Sequence, residues 1–156
     1  MRRLPLIALF FVALLAACGS NGESPTPTAC FASPSGYLQA LRGAPGEVRL
    51  DRETAISDCF GATQPVGDQA QVGQSVIKAG TTLNGTARRR PDSPQTVQLG
   101  YLVGAVEKGA QTSAGVDDDL VRRLEAAARF NPGGGSPGAA FERAFGRGYA
   151  AGQETG

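Results

Sequence analysis

The chain has 156 residues, 15 Lys and Arg against 14 Asp and Glu, three cysteines, and neither histidine nor tryptophan. A formal net charge of +1 offers no electrostatic footprint for DNA or RNA, so no nucleic-acid partner is expected. Without histidine there is no imidazole base, no Ser-His or Cys-His pair and no usual zinc site; no cofactor is expected.

Arg2 and Arg3 precede an apolar run, Leu4 to Ala17, that closes on Leu15-Ala16-Ala17-Cys18. Fourteen residues at about 1.5 Å each reach about 21 Å, short of the ~30 Å hydrocarbon core, so a spanning helix is disfavoured. A short basic stretch, an apolar stretch and small residues before a cleavage point form an export signal. With Cys18 in place the segment resembles the lipobox of bacterial lipoprotein precursors. That resemblance covers residues 1–18 only. It implies removal of residues 1–17, a diacylglyceryl group on the Cys18 thiol, and further acylation of the freed amine by a palmitate-type chain. Two or more acyl chains make a stable anchor. The expected location is the outer leaflet of the cell membrane. Gly19 stands where an Asp would resemble an inner-membrane retention signal, which favours the outer membrane if the cell has one.

Loss of residues 1–17 takes Arg2 and Arg3 and leaves 139 residues with 13 basic and 14 acidic side chains, enough for one domain with a real core. With Cys18 occupied by lipid, Cys30 and Cys59 remain as an even pair in an oxidising compartment, and a disulfide is expected between them. A redox or metal pair is the alternative. It lacks a Cys-x-x-Cys spacing and any second thiol cluster. Residues 18–29 comprise the lipidated cysteine and a run of Gly, Ser, Asn, Pro and Thr that reads as a flexible tether. The domain is expected over residues 30–151, with a disordered tail at 152–156.

Within that domain the apolar period is helical. Ser33-Pro34 has the composition of an N-cap followed by Pro at the first helical position, opening a helix that ends near Gly43. Asp51 is expected to cap a second helix running through Cys59 to Gly61. A third runs from about Gly67 to Asn84, with Val72, Val76, Ala79 and Leu83 on one face and Asn84-Gly85 as its end. Ser93-Pro94 opens a fourth with two apolar stripes, Leu99, Leu102, Val103, Val106 and Ala110 on one and Val97, Tyr101 and Ala105 on the other. A helix apolar on two faces is the expected centre. The fifth starts at Asp117 to Asp119, carries Leu120, Val121, Leu124, Ala127 and Ala128 on one side, and turns Arg122, Arg123, Glu125 and Arg129 outward. After Asn131-Pro132-Gly133-Gly134-Gly135, Ser136-Pro137 opens a sixth carrying Ala140, Phe141, Ala144, Phe145 and Tyr149. The predicted fold is all-α, a small irregular bundle of five to six helices.

Four features invite a sharper reading. Asp117-Asp118-Asp119 lacks the alternating ligand spacing of a calcium loop and is expected to cap a helix. Arg88-Arg89-Arg90 is expected in a solvated inter-helix loop, with contact to anionic lipid headgroups as the alternative. Gly100-x-x-x-Gly104 resembles a membrane-helix dimer motif inside a run too short to span, so close packing of soluble helices is expected. Glu107 is the one acid on the central helix, expected to be an exposed position beside Lys108. The Glu-Ser pair that marks lysozyme-like transglycosylases occurs here only at Glu23-Ser24, in the tether. No catalytic residue is assigned. The expected role is a non-catalytic envelope lipoprotein that binds a protein or a small apolar ligand. A carboxylate-dependent cell-wall hydrolase or lyase is the alternative, and a structural spacer a second one.

Overall fold

A computed structural model describes residues 24–113, 115 and 117–156. The lipobox and residues 19–23 of the expected tether lie outside them. Among the described residues five α-helices follow in order: α1 (Pro34–Ala40), α2 (Val66–Ala87), α3 (Pro94–Ala110), α4 (Asp118–Arg129) and α5 (Ala139–Thr155). Short 3₁₀ turns occur at Thr28–Phe31, Leu41–Gly43 and Ser57–Cys59, and no strand occurs among the described residues. The architecture is the expected all-α bundle.

α3 is its centre. Both predicted apolar stripes are buried along it, against α2, α4 and α5. α2 and α5 hold different sides of α3, and α1 packs on α2. Side chains build the α2 contacts, with Val72, Val76, Ala79 and Leu83 all in the core. Glycines build the α3–α5 contact instead. Gly100 and Gly104 lie against the backbone of α5 at Phe145 and Tyr149, while Gly148 and Gly152 lie against the backbone of α3 at Val97 and Tyr101. A Cβ on Gly100 would sit 2.9 Å from Tyr149 N, and one on Gly152 2.9 Å from Ala105 N. The paired glycines of the dimer-like motif thus serve close packing of helices within the domain. Gly73 and Gly80 of α2 similarly admit Leu120 and Leu124 of α4.

Cys30 and Cys59 form the expected disulfide, with Cα atoms 5.4 Å apart and both residues fully buried. It joins the Thr28–Phe31 turn to the Ser57–Cys59 turn. Closing a loop with 29 residues of separation stabilises the fold by roughly 3–4 kcal/mol on the chain-entropy account. Tyr37 is buried beside it and donates to Cys30 O at 2.8 Å.

Five expectations are corrected. No helix runs from Asp51 to Cys59. The Asp51 carboxylate accepts from Glu53 N and Thr54 N, and Arg52 adopts φ +77°, which ends any helical path there. Only the Ser57–Cys59 turn forms. α2 continues through Asn84-Gly85 because Asn84 points into the bundle, 3% exposed, and donates to Ala127 O and Phe130 O at 2.9 and 2.8 Å. These bonds satisfy carbonyls at the C-terminal end of α4. α5 begins at Ala139, with Gly138 at its N-cap, so Ser136 does not repeat the cap that Ser33 makes to Gly36 N at 3.2 Å. Ser24 to Ala29 belong to the domain: Ser24 N donates to Thr63 O at 2.9 Å and Thr26 is buried. Residues 152–156 are not a disordered tail. α5 extends to Thr155, and Gly152 and Gly156 are buried.

The last turn of α5 is held by side chains from elsewhere. Arg49 donates to Thr155 O at 3.0 Å, Lys108 to Glu154 O at 2.8 Å, and Ser57 to Gly156 O at 2.5 Å. The Tyr101 hydroxyl lies 2.9 Å from Thr155 Oγ1 and accepts from Val48 N at 3.3 Å.

Candidate functional site

Three helices converge on a groove of about 250 Å³ lined by Val103 and Glu107 of α3, Glu125 and Arg129 of α4, and Glu142, Phe145 and Tyr149 of α5. The glycine seam sets its depth. Because α5 lies backbone-to-backbone on α3, Tyr149 and Gln153, one turn apart, reach Glu107 from the side. Tyr149 Oη donates to Glu107 Oε2 in a short hydrogen bond, and Gln153 Nε2 donates to the same oxygen at 3.2 Å. Gln153 Nε2 also lies 3.2 Å from Tyr149 Oη, closing a three-membered network.

Glu107 is therefore half-buried and engaged, not the exposed position expected beside Lys108, which turns away to the end of α5. Burial raises the Glu107 pKa above the usual glutamate value, and the nearby Glu125 charge raises it further. The Tyr149 and Gln153 hydrogen bonds oppose that rise. Tyr149 in turn has its pKa raised, first by its bond to the Glu107 carboxylate and then by burial. Further along the groove Arg129 pairs with Glu142 at 2.8 Å and lies over the Phe145 ring, 4.8 Å from its centroid. Phe141, Phe145 and Tyr149 stack in sequence, with centroids 5.5 and 6.4 Å apart.

A second carboxylate is perturbed. Asp117 occupies the N-cap position of α4 but makes no side-chain cap bond. It is 3% exposed, and its Oδ2 has no partner among the described residues. Burial raises its pKa, Asp118 adds to the rise, and Ser113 opposes it. The acidic run thus marks the helix start as expected, while its first member is buried instead of capping. Asp118 and Asp119 lie in the first turn and complement the helix dipole. Among the described residues no group of three or more His, Cys, Asp or Glu side chains is placed to hold a metal ion. Arg88, Arg89 and Arg90 are exposed and follow directly on α2, as expected of a solvated connection.

What the groove can do chemically follows from its pairs. Glu107 holds a proton to higher pH than an ordinary glutamate, beside a phenol and a second carboxylate. Val103 and Phe145 supply apolar wall, and Arg129 supplies a cation already matched by Glu142. Sequence reasoning singled out Glu107 and missed its partners, since Gln153 falls in the expected tail and Glu125 on an outward face. The signal present was Tyr149 and Gln153 at i, i+4, on the same helix and at the same spacing as Gly148 and Gly152. No helix among the described residues is long and apolar enough to cross a membrane. Comparison of the chain with protein-family models, with curated proteins and with solved structures finds no match.

Proposed function

We propose that the chain is an exported envelope lipoprotein, anchored through Cys18, whose helical domain is a non-catalytic binding module. The observation that carries this reading is the buried Cys30–Cys59 bond. A disulfide at the heart of a small domain belongs to an oxidising compartment, which calls for export. It also leaves Cys18 as the odd cysteine, at the end of an apolar stretch in a lipobox-like setting. Binding is favoured over chemistry because Glu107 is matched with Tyr149 and Gln153 and Arg129 with Glu142, which leaves Glu125 as the groove's one carboxylate without such a partner among the described residues. Such a surface suits an envelope protein or a small ligand with an apolar part against Val103 and Phe145. The test is metabolic labelling of the full chain with a tagged palmitate in a bacterial host. Wild type is expected to carry label and sediment with membranes, and Cys18→Ser to lose both. Labelling that persists in Cys18→Ser overturns the anchor.

A second reading, a carboxylate-dependent cell-wall hydrolase or lyase, is favoured by one observation: the raised pKa of Glu107 in a groove beside Glu125. It predicts release of soluble glycan fragments from purified peptidoglycan by wild type and none by Glu107→Gln. Equal release, or none by either, removes it.

A further inference from the structure

α2 presents a face that no other part of the described domain covers. Ala70, Gln71, Gln74, Lys78, Thr81 and Thr82 are exposed, and at 3.6 residues per turn they fall within about a third of the helix circumference. That stripe holds small or neutral side chains, one lysine and no acid; Asp68 lies at its edge, half-buried. At its C-terminal end follow Arg88, Arg89 and Arg90, all exposed, with Asp92 the next acid in the chain. Within α2 and the Arg88-Arg89-Arg90 run that follows it, Lys78 and the three arginines stand against Asp68, with Asp92 just beyond, whereas α3, α4 and α5 each carry as many acids as bases.

At the N-terminal end of α2 the chain leaves the domain, where Ser24 N is bonded to Thr63 O. Only six residue steps separate Ser24 from Cys18, a reach of about 20 Å at ~3.3 Å per step. α2 itself, at 22 residues, is about 33 Å long. A lipid on Cys18 therefore holds one end of α2 close to the bilayer, and the arginines lie at the other end.

We propose that the exposed face of α2 is a docking surface for anionic lipid headgroups, so that the anchored domain lies down on its membrane along α2 and turns α5 outward. This inference rests on the lipid anchor at Cys18. A short tether gives an effective concentration in the millimolar range, so a surface attraction too weak to recruit a free domain is enough to orient an anchored one. Each basic side chain near an anionic surface multiplies the docked population about fivefold. The stripe itself carries no carboxylate, Asp119 and Arg123 of α4 flank it together beside Ala70 and Gln74, and its small side chains let the helix approach closely.

The experiment uses the full lipidated chain in vesicles of phosphatidylcholine with one third phosphatidylglycerol, carrying a fluorophore on Thr81→Cys or, on exposed α5, on Ala150→Cys. A quencher attached to lipid headgroups reads proximity, and flotation with the vesicles is scored first. Quenching at position 81 is expected to exceed that at 150 several-fold. It should fall to the level of position 150 in pure phosphatidylcholine, and equally when Arg88, Arg89 and Arg90 are all changed to Gln. A chain that fails to float refutes the anchor and the orientation with it. A chain that floats but is quenched equally at both positions refutes the orientation and leaves the anchor standing. A preference for position 81 that survives loss of the three arginines overturns the headgroup attraction.

Discussion

Gly148 and Gly146 lie two residues apart on α5 and should respond to alanine in opposite directions. A Cβ on Gly148 would stand 2.7 Å from Val97 C and 2.9 Å from Tyr101 N, both backbone atoms that no rotamer change can move. Ordinary contacts there are 3.4–4 Å, and the Cβ would overlap Val97 O more deeply still, so α5 must lift off α3 by more than about 1 Å. A gap of about 1 Å already forfeits a quarter to a half of each lost dispersion contact. Overpacking of this kind costs about 2–3 kcal/mol, partly offset by the gain of about 1 kcal/mol when alanine replaces glycine within a helix. Gly148→Ala should therefore lower stability by about 1–2 kcal/mol. Gly146 is exposed, with nothing within 4 Å of the built Cβ, so Gly146→Ala keeps only the favourable part, about 0.5–1 kcal/mol. Urea unfolding followed by far-ultraviolet circular dichroism should place the two midpoints about 1 M apart, on opposite sides of wild type, for an m-value of about 2 kcal/mol/M. Two midpoints moving together, or an unshifted Gly148→Ala, would refute a backbone-to-backbone contact between α3 and α5.

Two further predictions concern the polar interior. Asn84→Ala removes both donors that hold the Ala127 and Phe130 carbonyls and should cost about 2–3 kcal/mol, read by the same unfolding curves; a neutral result would mean those carbonyls find water. Glu107 has a folded-state pKa above its unfolded value, so its protonated form is favoured by folding. Its contribution is full below the unfolded value and is lost as pH rises through the folded one. Asp117 acts with the same sign. Wild-type stability should therefore decline upward from about pH 4, and Glu107→Gln should decline less over that range. Identical slopes from pH 4 to pH 8 would show that Glu107 does not feel the burial and the Glu125 charge described here.

The helices were legible where apolar periodicity is strong. Both stripes of α3 and the single face of α2 stand in the sequence and are buried as read, whereas of the α4 set only Leu124 and Ala128 are fully buried and Leu120, Val121 and Ala127 are partly covered. Segments ruled by other forces were not. Asp51 spends its carboxylate on a turn, and Cys59 must meet Cys30, so a plausible helical stretch never forms. Asn84-Gly85 carries turn chemistry by composition, yet burial of the Asn84 amide keeps the helix going. The α3–α5 contact escaped except at Gly100 and Gly104, because glycine adds nothing to a hydrophobic period while its absent side chain decides how near two helices come. That blind spot also hid the groove. Glu107 was visible, but Tyr149 and Gln153 reach it only because the seam is so close.

The clasp around the last turn of α5 joins parts of the chain that look independent. The stretch from Ala44 to Gln64 has no α-helix of its own. One end of it is fastened by Cys59 to Cys30, and its middle is fastened by Arg49 and Ser57 to the carbonyls that end α5. Amide hydrogens in the final turn of α5 and in the Ser57–Cys59 turn are therefore expected to exchange with solvent through one shared opening, not two. Reducing the disulfide should speed both together while the amides of central α3 stay protected, as expected of a single loose corner on an otherwise rigid frame.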